Sequence, residues 1–395
     1  MGMKITSVEI YDMNTEGLRV LWHPVVIKIN TDAGLTGVGE VALAYGVGHS
    51  AGAGMVKNLA ETFLLGADPL QIEKIWETML RGSFWGLGGG PAVYGGMSAI
   101  DMALWDIKGQ ALGQPIWQLL GGQTNPKLRC YASQIQFGWV KDKITDLTQP
   151  EQYAEAAAAA IAEGYDCVKV DPIMLDLEGT RNLKLRGVLD PKTLEIGYQR
   201  VKAVRESVGP DIDIIIELHS MMSVTTSIQL GKRLEEFNCA LYEEPVHYLN
   251  PELMKKVADN VNIPMAGGER IYTRWGFAPY LRDQSLSVIQ PDLGLVGGIT
   301  EGKKICDLAH VYDATVQCHV CGGPIGTVAA LHLETIIPNF YIHEHHTYAL
   351  KPTNVEICIE DFQPQNGYFT APNEPGLGVH LNDEVIKRSP HVTVS

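Results

Sequence analysis

From about residue 127 the chain settles into a regular rhythm. Short runs of branched and aromatic residues alternate with longer segments whose apolar positions recur every three or four residues. The runs are LRCYASQ (128–134), DCVKVDP (166–172), IDIIIE (212–217), ALYEEP (240–245), IPMAGGE (263–269), SLSVIQPD (285–292), ATVQCH (314–319) and NFYIHE (339–344). Helical patterns stand between them, for example PEQYAEAAAAAIAEG (150–164), KTLEIGYQRVKAVRESVG (192–209) and TEGKKICDLAHVY (300–312). Eight such strands, alternating with helical segments, predict a parallel (β/α)8 barrel over residues 127–345. The polar stretch 173–190 is too long for an ordinary strand-to-helix connection and is expected to form a flap or an interface.

Residues 1–126 have another style. KITSVEIYDM and HPVVIKINTDAGLTGVGEV read as antiparallel strands, the second stretch folded back at Thr31-Asp32-Ala33-Gly34. Helical patterns follow at 48–66, 69–82 and 98–122, and the glycine-rich stretch SFWGLGGGPAVYGG (83–96) reads as a mobile loop carrying Phe84 and Trp85. It is not a dinucleotide loop, because no apolar strand precedes it and Pro91 stands where the third glycine belongs. After 345 the alternation stops. Residues 346–395 read as short strands and turns that return to the first domain, giving an α/β chain with a barrel and an α+β cap.

Composition narrows the function. The 395 residues are 45% hydrophobic, enough for a large core, and the net charge of −15 argues against nucleic acid or an anionic membrane as partner. An anionic small molecule would need a local positive field. No apolar run reaches the roughly 18 residues of a membrane span, and MGMKITSVEI lacks the core of a signal peptide. A formal myristoylation match at Gly2 and Thr6 lies in a strand-like alternation and is set aside. Seven scattered cysteines read as reduced core residues of a cytoplasmic protein. Cys318-His319-Val320-Cys321 is not at a strand-to-helix redox turn.

The ends of the runs carry the candidate chemistry. Glu217, Glu243 and Glu269 follow one another at intervals of 26 residues, about the length of one strand-helix unit. On successive strands of one barrel they point into the same end, and three carboxylates without Cys or His suit Mg²⁺. Lys169 and Asp171 share a strand face, and His219 stands two residues beyond Glu217. Asp292 and His319 end adjacent strands, where a carboxylate behind an imidazole would fix its tautomer and raise its basicity. Glu344 ends the eighth strand. His343 and His345 alternate away from it, and Thr347 breaks the H-E-x-x-H spacing, so no metal centre is expected there.

These residues, with the strings YEEP (242–245), GGER (267–270), QPDLGLVGGIT (290–300) and SAIDMALWDIKG (98–109), resemble the enolase superfamily, mandelate racemase subgroup, along essentially the whole chain. The resemblance implies a modified TIM barrel capped by both chain ends. It also implies Mg²⁺ on Glu217, Glu243 and Glu269, abstraction of the proton α to a carboxylate, and a symmetric homo-oligomer. Racemases of the subgroup carry Lys-x-Lys on the second strand, whereas here the second position is Asp171. Relatives with a sixth-strand lysine find no counterpart in QPDLGLVGG. His219 instead resembles the general acid of acid-sugar dehydratases of the galactonate, gluconate and mannonate types.

The implied reaction is dehydration of a sugar acid to a 2-keto-3-deoxy acid. His319, held by Asp292, is the base, and His219 protonates the departing hydroxyl. Lys169, Glu344 and Ser133 are expected near the substrate carboxylate, and Asp171 and Glu244 stand behind the contact layer. Specificity is assigned to loops at 20–24, 44–50, 83–91 and 173–190, with Trp22, His23, Tyr45 and Trp85 as candidates. The alternatives are an epimerase or lactone cycloisomerase, or a weakly active sugar-acid-binding relative.

Overall fold

In a computed structural model, the described residues are 2–13, 22–181 and 187–395. Residues 20–21 and 182–186, parts of two expected specificity loops, lie outside them.

The cap is a four-stranded antiparallel sheet in the order β13-β1-β2-β3, with β1 Ile5–Asp12, β2 Val25–Thr31, β3 Thr36–Val41 and β13 His391–Val394. The tail thus reaches the first strand, Val8 opposite Val394. The helix Gly90–Leu112 packs on this sheet. The approach is close: a Cβ on Gly39 would stand 1.9 Å from the Ala99 carbonyl oxygen. The same helix binds the barrel, Ser98 accepting the Gly297 and Gly298 N–H groups and Asp101 that of Thr300.

The barrel strands are β4 Leu128–Ser133, β5 Cys167–Val170, β6 Asp213–Glu217, β7 Leu241–Glu243, β8 Met265–Gly267, β9 Val288–Ile289, β10 Thr315–Val316 and β11 His343–His346. They run parallel in the order β10-β9-β8-β7-β6-β5-β4-β11, and a parallel bridge between Val316 and Phe340 closes the ring. A short strand β12, Tyr368–Phe369, pairs with β4 near its start, so part of the tail belongs to the barrel rather than to the cap.

The barrel interior explains the site. Tyr131, Cys167, Ile215, Leu241 and Ile342 form an inner apolar layer with Ala266 and Val288. Two residues further along their strands stand Ser133, Lys169, Glu217, Glu243 and Glu344. Period-two alternation turns a filled apolar plug into a polar floor at the C-terminal end.

The structure corrects two readings. Residues 90–96 are helical rather than a glycine loop, because Gly95 and Gly96 lie where a Cβ would come 2.9 Å from Val41 and from Met55. Their smallness serves helix packing. The helix read as 98–122 ends at Leu112, capped by Gly113 in the left-handed region. Among the described residues no helix is long and apolar enough to cross a membrane.

Candidate active site

Above the polar floor opens a cavity of about 520 Å³, a size suited to a small molecule. His219, Glu269 and His319 line it, with Arg181 and Arg270 as cations, Tyr45, Phe137, Tyr272 and Tyr348 as aromatic wall, and His346.

Strand register places the carboxylates. Glu217 pairs directly with Glu243 across β6 and β7. Glu269 lies beyond β8, after Gly268 with φ +148°, where a Cβ would strike the Gln290 backbone at 2.7 Å. One oxygen from each of the three glutamates falls within 4.8 Å of the others. Glu217 Oε2 and Glu243 Oε2 are buried without a hydrogen bond. Buried anionic oxygens without donors are costly, and burial, then the Glu217 charge, raises the Glu243 carboxyl. These all-oxygen donors fit a hard divalent cation.

Lys169 is buried beneath this cluster, its Nζ 2.7 Å from Glu243, 2.8 Å from Glu344 and 3.6 Å from Glu217. Burial opposes the ammonium, but Glu243 and Glu344 lift its pKa well above the usual lysine range. Glu344 accepts from Ser133 Oγ at 2.5 Å and from the Val320 N–H at 2.9 Å. Burial would raise its carboxyl, yet Lys169 and then His319 hold it below the ordinary range. Lys169 and Ser133 therefore meet on Glu344 beneath the cavity, and none of the three is among its lining residues.

Each histidine is backed by a carboxylate. His319 Nδ1 is 2.7 Å from Asp292 Oδ2, and its Nε2 is 3.2 Å from Glu269. His219 Nδ1 is 2.6 Å from Asp171 Oδ2. Asp171 Oδ1 accepts the N–H groups of Ile173 and Met174, so both oxygens are committed. Burial works against both imidazolium ions. For His319, Glu269 and then the Asp292 hydrogen bond raise the pKa to about 10. For His219, Glu217 and then Asp171 raise it to about 9. His219 does not reach the site by simple alternation: β6 ends at Glu217, and His219 has φ +45° with its N–H on Glu217 Oε1. Glu244 is in contact with Arg270 and Ser220, and so fixes the guanidinium on the wall.

Two expected substrate contacts stand elsewhere. Trp85 is 73% exposed, stacked edge-on with Phe84, and does not line the cavity. Its loop projects outward because Gly86 is pressed against the Leu80 carbonyl, where a Cβ would come within 2.0 Å. His23 stacks on His49 in the cap instead. Trp22 stacks on Tyr348, behind the wall. His343 is bound by Glu334 and His345 by Tyr165, both outside the barrel interior.

Three wall residues went unread. His346 follows Glu344 by two, a period-two signal that could have found it. Its Nδ1 accepts the Tyr348 N–H at 3.1 Å, and burial lowers its pKa to about 3. The neutral ring thus carries its hydrogen on Nε2, which has no partner among the described residues. Arg181, hydrogen-bonded to the Tyr45 hydroxyl at 2.5 Å, lies in an aperiodic loop. Arg270 stands within GGER, but nothing in that string says which way it turns.

Known proteins resemble this chain along nearly its whole length. Residues 152–385 match the family described as enolase C-terminal domain-like, and residues 21–121 match the mandelate racemase/muconate lactonizing enzyme N-terminal domain. D-galactonate dehydratase of Pectobacterium atrosepticum is 32% identical over 394 residues, covering 98% of this chain and 94% of that protein. A crystal structure of an enolase superfamily member from Salmonella Typhimurium is 54% identical, covers 100% of both chains and superposes with a TM-score of 0.96. A mandelate racemase/muconate lactonizing enzyme-like protein from Roseovarius sp. TM1035 is 30% identical, covers 98% of this chain and 95% of its own, and has a TM-score of 0.88.

Proposed function

The chain belongs to the mandelate racemase/muconate lactonizing enzyme family of the enolase superfamily, and from that premise we propose that it is a Mg²⁺-dependent dehydratase of a sugar acid. The observation that carries the reading is the presence in one cavity of two histidines, each backed by its own carboxylate, beside a triad of glutamates.

Glu217, Glu243 and Glu269 would hold Mg²⁺, which when bound supplies Lewis-acid stabilisation of charge on the substrate carboxylate. The protein's own groups supply the proton transfers. With Glu269 committed to a cation, the charge that most raises the His319 pKa is offset; His319 then keeps its Nδ1–H on Asp292, and the Nε2 lone pair is free to take the C2 proton. The C2 electron pair forms the C2–C3 double bond as the C3–O bond breaks. His219 donates a proton to the departing hydroxyl, which leaves as water, because hydroxide is a poor leaving group. The resulting enol tautomerises to the 2-keto-3-deoxy acid. Asp171 stabilises the imidazolium of His219 before that transfer.

Lys169 is unsuited to be a second base. Even with a cation on Glu243, the Glu344 carboxylate at 2.8 Å favours its ammonium form. This supports elimination over two-base racemisation. Arg181, Arg270 and the Nε2–H of His346 supply the local field and donors for an anionic, hydroxylated ligand on a chain of net charge −15.

The test is keto-acid formation from a panel of aldonates, aldarates and uronates, with Mg²⁺ and with chelator. Metal-dependent product from one stereochemical group supports the reading. Deuterium exchange at C2 without keto acid would replace it with an epimerase or cycloisomerase, and silence in both assays with a binding role.

A further inference from the structure

We propose that the cap holds a second metal site, on Asp12, His23 and His49, for a divalent cation of the borderline class that Zn²⁺ represents. The three residues come from separate segments: the last residue of β1, the loop before β2, and the first residue of the helix His49–Leu59. His49 Nδ1 stands 2.9 and 3.0 Å from the two Asp12 oxygens. The His23 and His49 rings stack with centroids 4.4 Å apart and planes 23° apart. One donor atom from each residue lies within 4.8 Å of the others.

These distances suit a shared ion. Ligands at about 2.1 Å from Zn²⁺ sit roughly 3.0–3.4 Å from one another, so Asp12 and His49 are already spaced as two ligands, and a His23 nitrogen lies within 4.8 Å of both. A hydrogen-bonded pair of Asp12 and His49 would account for two of the residues. It leaves unexplained why a second imidazole stands with its ring centroid 4.4 Å from the first. A metal bound by both rings and the carboxylate gives all three residues one common purpose. Two imidazoles and one carboxylate also favour a zinc-like ion over Mg²⁺, in contrast to the all-oxygen triad in the barrel. Partial exposure, 25% for His49 and 30% for Asp12, leaves room for a water ligand and a route of entry.

The site would act on the cap rather than on the reaction, since none of its three residues lines the cavity. The His23 N–H donates to the Ala44 carbonyl at 2.8 Å, and Trp22 pairs with Tyr45 in an antiparallel bridge. Tyr45 in turn lines the cavity and holds Arg181. A cation here would clip together three cap segments that support one wall of the pocket. The inference is independent of the reaction assigned above.

The test uses the full chain with Glu243→Gln, which weakens the barrel triad, and titrates Zn²⁺ by calorimetry against Glu243→Gln/His49→Ala and Glu243→Gln/His23→Ala. The expected result is one equivalent of Zn²⁺ whose affinity falls at least about tenfold in each double variant, since even outer partners of metal ligands are worth that much. Co²⁺ should give visible d–d absorption that the histidine substitutions abolish. If a metal-free double variant melts early, Glu243→Gln/Asp12→Asn, which keeps side-chain size, replaces it. Zn²⁺ binding and Co²⁺ absorption that are indifferent to these substitutions, or absent from Glu243→Gln, overturn the site.

Discussion

Asp292→Asn isolates the assignment of His319 as the base. The two oxygens of Asp292 have different duties: Oδ1 accepts the Gly294 N–H at 2.8 Å, and Oδ2 faces His319 Nδ1 at 2.7 Å. An asparagine can satisfy Gly294 only with its carbonyl oxygen, so its NH₂ turns toward His319. A donor there demands an acceptor at Nδ1, which drives the hydrogen onto Nε2 and removes the lone pair that faces the cavity. Reversing the amide restores the tautomer but leaves the buried Gly294 N–H unsatisfied, at about 1–3 kcal/mol, and still lacks the anion that stabilises the imidazolium. Loss of a carboxylate in the same relation to a catalytic histidine costs about 10⁴ in kcat, and loss of a general base about 10²–10⁴. We expect a fall in kcat of about 10³–10⁴, or about 4–5.5 kcal/mol at roughly 1.36 kcal/mol per tenfold, with KM and metal affinity little changed. The assay is keto-acid formation with parallel C2 deuterium exchange. Because the two residues act as a unit, Asp292→Asn/His319→Asn should be hardly worse than His319→Asn alone. An Asp292→Asn enzyme within tenfold of wild type in both readouts would refute the reasoning.

His346→Phe keeps a ring against Tyr348 but deletes the Nε2–H, and KM should rise about tenfold, the worth of one hydrogen bond, with kcat nearly constant; an unchanged KM would remove His346 from the binding wall. Gly39→Ala forces a Cβ to 1.9 Å from the Ala99 carbonyl, so the urea midpoint should fall by the equivalent of about 3 kcal/mol or more. Mg²⁺ should raise the melting temperature of the wild type and not of Glu217→Gln/Glu243→Gln, and chelator should reverse the rise; equal shifts in both proteins would place the stabilising ion elsewhere. In the metal-free protein, folded pKa values of about 9 for His219 and about 10 for His319 exceed the unfolded value near 6.5. The stability they contribute is full below about pH 6.5 and is lost as pH rises through 9–10, so calorimetric melting at pH 10 should lie below that at pH 7; a flat or rising profile would contradict the ion pairing of these rings.

What the sequence could disclose followed from periodicity. A strand has one interior face, so Glu217 and Glu243 could be placed beside each other from their position at the ends of IDIIIE and ALYEE, and the register pairs them directly. The same reasoning placed Lys169 and Glu344 inward, with Ser133 added only by the family resemblance, but did not give their depth. That depth depends on how far each strand end projects above the apolar plug, which no single strand reveals. Loops were legible only where chemistry constrained them. Trp85 and His23 gave no directional signal, since their orientation is set by contacts with distant segments such as Leu80 and His49. Gly90–Gly96 misled because small residues that allow close helix packing look locally like those that break a helix.

The single position most informative about reaction type is Asp171. Its strand partner at period two, Lys169, is locked by carboxylates below the cavity, so the outer position decides what acts on the open side. A lysine there would offer a second mobile base. Asp171 offers none, because one oxygen is fixed by two backbone N–H groups and the other by His219. Its effect is instead to favour the protonated form of the neighbouring imidazole. In the proposed reaction, a carboxylate instead of an amine at this strand end moves the second catalytic group from β5 to His219, beyond β6. A pocket armed with one base and one acid on neighbouring walls is matched to elimination of a hydroxyl, and Asp171→Asn should therefore impair C3–O cleavage more than C2 exchange. Equal loss in both would mean that Asp171 serves the fold of the 171–174 turn rather than the acid.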